Sequence, residues 1–85
     1  MYEILLYRNA AKAYESLDDR TVARINKSID ALKENPFYGK DIKKLKGELA
    51  GRYRLRVGRY RVVYRVDEQE KAVIIEDFGA REKIY

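Results

Sequence analysis

Apolar and polar positions change their spacing along this chain, and each change marks an element. Residues 2–7, Tyr-Glu-Ile-Leu-Leu-Tyr, make a short apolar run that suits an edge or half-buried strand. From Asn9, a candidate N-cap, the spacing lengthens. Ala10, Ala13, Tyr14 and Leu17 then share one side of a short helix. Ser16, Asp18 and Asp19 break that helix and offer caps for the next. Val22, Ile25, Ile29 and Leu32 follow on one helical stripe. Pro36 bounds it, because the residue before a proline avoids the helical region. Residues 37–51, with Gly39, Gly47 and Gly51, read as a loop.

The sharpest pattern comes next. In residues 52–57 the arginines Arg52, Arg54 and Arg56 alternate with Tyr53, Leu55 and Val57. Gly58 supplies a turn. The alternation then resumes, with Arg59, Arg61, Val63 and Arg65 against Tyr60, Val62, Tyr64 and Val66. Successive strand residues point to opposite faces. A hairpin that pairs like with like puts six arginines on one face and the apolar side chains on the other. Asp67-Glu68-Gln69-Glu70 is a polar turn. Residues 72–78 form a further strand with large side chains on both faces, as a central strand has, and the tail from Gly79 leaves the sheet. The expected architecture is α+β: an N-terminal strand, a helical hairpin, then a three-stranded antiparallel meander, with the helices packed on one face.

Composition narrows the chemistry. A chain of 85 residues holds one domain, 1–85. A domain of this size buries only about two-thirds of its unfolded surface, so an open surface site is favoured over an enclosed pocket. Cysteine and histidine are absent, which excludes disulfides, thiolate metal sites and the usual neutral-pH acid–base. The apolar start is too short for a leader or a membrane span, and a cytoplasmic location is expected. The net charge of +5 is unevenly spread. Residues 40–65 carry ten Lys or Arg against Asp41 and Glu48, a net +8, while the rest of the chain sums to −3. Such clustering marks a polyanion-binding face. Arginine suits phosphate because its planar fork donates two hydrogen bonds at once. With no groove-reading helix, single-stranded RNA fits better than duplex DNA. A solvated basic surface is the plainer alternative. Like charges opposite one another on a sheet are destabilising, however. Glu76 or Asp77 could neutralise one or two of the arginines.

Three runs carry a family resemblance: Lys44-Leu45-Lys46-Gly47; Tyr53-Arg54-Leu55-Arg56-Val57-Gly58-Arg59-Tyr60-Arg61-Val62-Val63-Tyr64; and Gly79-Ala80-Arg81-Glu82-Lys83-Ile84-Tyr85. Together they resemble the RelE branch of the RelE/ParE toxin superfamily across nearly the whole chain. The resemblance implies a ribosome-dependent endoribonuclease that cuts mRNA in the A site through attack of the substrate's own 2′-hydroxyl. It implies restraint by a RelB-like antitoxin, with ribosome and mRNA as the other partners. It places the catalytic set at Arg54, Arg56, Arg61, Arg81 and Tyr85. Lys43, Lys44, Lys46, Arg52, Arg59 and Arg65 are the expected RNA- or phosphate-binding residues around it. No metal or other cofactor is expected.

Physical roles follow from the chemistry. Arg61 and Arg81 suit the charge that builds on the phosphorane. Tyr85 suits base stacking and orientation of the 2′-hydroxyl. Relatives often carry lysine where this chain has Arg54 and Arg56, and arginine is a poor proton carrier. That leaves Tyr85 as the leading general base, with Glu48 behind it. Two other readings remain: a ParE-like toxin that inhibits DNA gyrase without nuclease activity, and a basic binding module with no toxin role.

Overall fold

The computed structural model describes residues 1–80. The elements are β1 (Glu3–Leu6), α1 (Arg8–Glu15), α2 (Asp19–Leu32), β2 (Ile42–Lys44), β3 (Tyr53–Val57), β4 (Tyr60–Asp67) and β5 (Ala72–Ala80), with a single 3₁₀ turn at Gly47–Leu49. The strands form one sheet in the order β1-β5-β4-β3-β2. The β1–β5 pair is parallel and the other pairs are antiparallel.

The α+β architecture and the edge position of β1 match the expectation from sequence. Three local points differ. The loop expected over 37–51 contains a fifth strand, β2, which pairs Ile42 with Leu55 and Lys43 with Arg54. Its Ile-Lys-Lys sequence has almost no alternation of its own. The open edge of β3 recruits it, and Arg56 N–H to Asp41 O (2.9 Å) and Leu45 N–H to Arg52 O (2.9 Å) extend the ladder. Asn9 is not the cap of α1. The helix begins at Arg8, directly after extended Tyr7, whose N–H donates to Ile75 O at 2.9 Å and so ties the end of β1 to β5. Lastly, β5 continues through Gly79 and Ala80, which pair with Arg61 and Tyr60, so the sheet does not end at Phe78.

Other signals formed as the sequence implied. Asp18 caps α2. Its carboxylate accepts the Thr21 N–H and, at 2.5 Å, the Thr21 hydroxyl, which holds the carboxyl below its ordinary value. Ile25, Ile29 and Leu32 of α2 and Ala10 of α1 pack on Leu55, Val57, Val62, Tyr64, Val73, Ile75 and Phe78. Burial of this apolar surface is the main favourable contribution to folding. Tyr53 and Tyr64 stack with ring centroids 5.5 Å apart, as core residues rather than RNA platforms. The Tyr64 hydroxyl donates to Pro36 O at 2.6 Å, pinning the chain beyond α2 to β4. Burial raises this phenol above the ordinary tyrosine value, so it stays a neutral donor. Among the described residues no helix is long and apolar enough to cross a membrane.

Leu55 is only 5% exposed, so Leu55→Ala should destabilise the protein by about 2–5 kcal/mol in a urea melt. Tyr64→Phe should cost about 1–2 kcal/mol, because Pro36 O loses its donor. A melt unchanged by either variant would contradict this packing.

Candidate nucleic-acid interface

The hairpin register fixes what each face carries. Leu55 pairs with Val62 and Val57 with Tyr60, so their side chains meet the helices. Arg56 pairs with Arg61, and Arg54 with Val63, on the opposite, open face. Lys43 faces Arg54 from β2 and so joins the same face. A hydrogen-bonded β3–β4 register therefore sets two guanidinium-bearing residues directly across from each other, an arrangement that costs folding energy.

The face is not uniformly cationic. Where β4 meets β5 the register slips: Val63 pairs with Asp77, while its neighbour Tyr64 pairs with Ile75. Glu76 is the extra residue of this bulge. Its carboxylate accepts from Arg52 Nε, accepts Arg52 Nη2 at 3.4 Å, and lies 3.4 Å from Arg65 Nε. Arg65 also donates Nη2 to the Tyr7 hydroxyl at 2.5 Å and sits over the Tyr7 ring, 5.6 Å from its centroid. That hydrogen bond is the chief reason Arg65 is held above the ordinary arginine value. Arg52 and Arg65, expected as phosphate ligands, are thus engaged within the protein. Arg56 has a looser partner in Asp41 at 3.8 Å. Arg59 lies in the exposed β3–β4 turn, away from the face expected for it, because Gly58 and Arg59 together make the reversal. Glu48 lies exposed in the 3₁₀ turn.

Beside these pairs lies a compact basic concavity of about 450 Å³, lined by Lys43, Lys44, Leu45, Lys46, Leu49, Arg54 and Arg61. Lys43, Lys44 and Lys46 are exposed, and the apolar stems of Leu45 and Leu49 shape the floor. The Nε–H of Arg54 is shielded from solvent and meets no acceptor among the described residues. A shielded charged donor left in that state is costly. The structure thus gathers Arg54, Arg61 and the three lysines. Glu76 neutralises two arginines, as the sequence allowed for it or Asp77, but its choice of Arg52 and Arg65 and the wall at Leu49 were not foreseen. Glu76 was visible only as a possible counter-charge, because a bulge leaves no mark in alternation. Arg81 and Tyr85 lie outside the described residues.

Comparison with known proteins gives concordant findings. Residues 5–85 match the family model described as the ParE toxin of type II toxin–antitoxin systems, parDE. A protein of Methanocaldococcus jannaschii that carries the toxin name RelE1 is 30% identical over 86 residues, spanning 99% of this chain and 94% of that one. The RelE–RelB complex of Pyrococcus horikoshii superposes with a TM-score of 0.81 at 30% identity, covering 96% of this chain and 97% of the other. The toxin–antitoxin complex RelBE2 of Mycobacterium tuberculosis gives a TM-score of 0.82 at 28% identity, with 94% and 98% covered.

Glu76→Ala should lower stability by about 1.5 kcal/mol, the low end for hydrogen bonds to charged groups, since both guanidiniums reach solvent. Thermal or urea unfolding measures this. A variant as stable as the parent would mean the two ion pairs contribute nothing.

Proposed function

The chain belongs to the ParE toxin family of type II toxin–antitoxin systems, within the RelE/ParE superfamily, and we propose that it acts as a ribosome-dependent endoribonuclease on mRNA. The observation that carries this reading is the concavity in which Lys43, Lys44, Lys46, Arg54 and Arg61 converge, with no acceptor among the described residues for the shielded Arg54 Nε–H. Such a recess fits an RNA backbone phosphate better than a protein surface, because it offers several cationic donors to one small anion.

In the proposed reaction the 2′-hydroxyl oxygen attacks the adjacent phosphorus. A 2′-O–P bond forms, the P–O5′ bond breaks, the 2′ proton leaves and the 5′ oxygen gains one. The products are a 2′,3′-cyclic phosphate and a free 5′-hydroxyl. Negative charge grows on the phosphorane oxygens during the attack. Fixed cations stabilise that charge more than the starting diester, which is the differential that accelerates a reaction. In this reading Arg54 and Arg61 would serve this role, and Arg56, paired across from Arg61, would add to the field. Arginine keeps its proton, so these residues contribute charge rather than proton transfer. Arg81 would add a further cation, and Tyr85 a stacking platform and the candidate general base. The ribosome would present the substrate strand and help order it. A RelB-like antitoxin encoded beside the toxin would hold it inactive, a reading supported by the toxin–antitoxin complexes among its structural relatives.

One finding favours a second reading. The matching family model bears the ParE name, and a gyrase-directed toxin on this fold would need no nuclease site. The two separate cleanly in cells expressing the chain without an antitoxin. Mapping of 5′-hydroxyl RNA ends should show cuts within codons of translated mRNA. Intact mRNA together with an induced DNA-damage response would replace the nuclease reading with the gyrase one. In a reconstituted translation assay, Arg61→Ala or Arg54→Ala should lower the cleavage rate by about 10²-fold, the scale for losing one electrostatic stabiliser. The circular dichroism of both variants should stay unchanged.

A further inference from the structure

A second recess, of about 300 Å³, adjoins the basic one, and Leu49 lines both. Its lining is of another kind. Val63 and Leu49 give it an apolar floor and wall, Tyr7 an aromatic rim, and Asn9, Asp77 and the paired Arg52 and Glu76 a polar far side. Register relates the two recesses. Arg54, Val63 and Asp77 lie side by side on β3, β4 and β5. Two strand spacings separate Arg54 from Asp77, about 10 Å. A cation, an apolar seat and a carboxylate therefore stand in line, in the order in which a nucleotide presents its phosphate, its base and the outer edge of that base.

The polar groups differ in their availability. Glu76 is engaged by Arg52 and Arg65. Asp77 is exposed and, among the described residues, accepts only the N–H of its neighbour Phe78, at 2.9 Å, which leaves lone pairs for an incoming donor. Tyr7 is 45% exposed, with Arg65 stacked on its ring. An aromatic ring beside a cationic groove is a stacking surface for a base.

We propose that this recess is a nucleobase subsite, in which Asp77 accepts a hydrogen bond from an exocyclic amino group of the base whose phosphate lies on Arg54. The assignment rests on the RNA reading above and adds a selectivity to it. A carboxylate attracts the amino group of cytosine and repels the carbonyl that uracil carries at the same position. The subsite therefore discriminates between two bases of equal size. Val63 seats either base, so the apolar contact does not contribute to the preference.

The test uses the full chain and two fluorescein-labelled RNA hexamers, oligocytidylate and oligouridylate, with binding read by fluorescence anisotropy over a salt series. The parent should bind oligocytidylate about tenfold more tightly than oligouridylate, within the range of one good base-edge contact. Asp77→Asn, whose amide offers both a donor and an acceptor, should bring the two affinities within about twofold. Its salt dependence should stay the same, since the phosphate contacts are untouched. Asp77→Ala should behave likewise, and thermal melts should confirm that both variants fold. Equal binding of the two hexamers by the parent, or a preference that survives in both variants, overturns the subsite while leaving RNA binding intact. Failure of the parent to bind either hexamer at low salt removes the RNA reading itself, and the subsite with it.

Discussion

The antiparallel register between β3 and β4 is the constraint on which the rest of this structure depends. Pairing Leu55 with Val62 and Val57 with Tyr60 commits those side chains to the helices. The same hydrogen bonds commit Arg54, Arg56 and Arg61 to the other face. A slip by one residue would exchange the two sets, burying guanidiniums against α2 and exposing the core. The desolvation cost of that exchange is prohibitive, so the apolar face enforces the placement of the cations. Core and candidate site are two consequences of one ladder.

Crowding cations on one surface works against folding, and the fold answers it locally. The bulge at Glu76 brings a carboxylate onto the open face, where it meets Arg52 and Arg65 together. Asp41, just before β2, approaches Arg56. These pairings leave the net charge unchanged but redistribute its availability. Arg54, Arg61 and the lysines of residues 43–46 line a concavity, while Arg52 and Arg65 are held by Glu76. The division gives the face two characters: cationic toward β2, and mixed apolar and acidic toward β5.

The chain has no histidine, so the proposed reaction, in which the nucleophile belongs to the substrate, would lean mainly on fixed charge. The protein then has to orient the strand and stabilise charge that builds on phosphorus. Preorganised arginines on a hydrogen-bonded sheet meet that requirement better than side chains on a mobile loop, because the strand backbone sets their positions before the substrate arrives.

Much of this was legible in the residues themselves. Alternation in 52–66 named the two faces, the stripe Val22–Ile25–Ile29–Leu32 named the helix that covers one of them, and Asp18 marked its start. These are local signals, carried by residues a few positions apart. Three features were not legible: the short strand β2, the start of α1 at Arg8 rather than after Asn9, and which arginines Glu76, a foreseen counter-charge, would engage. Each depends on contact between distant segments. The open edge of β3 makes a strand of Ile42–Lys44, and the β5 backbone receives Tyr7. Pairing of β4 with β5 creates the bulge. The sequence by itself determined that a cationic face exists and which residues form the core beneath it. Only the tertiary structure decided which arginines Glu76 and Asp41 meet, because a salt bridge forms where the backbone brings opposite charges together, whatever their distance along the chain.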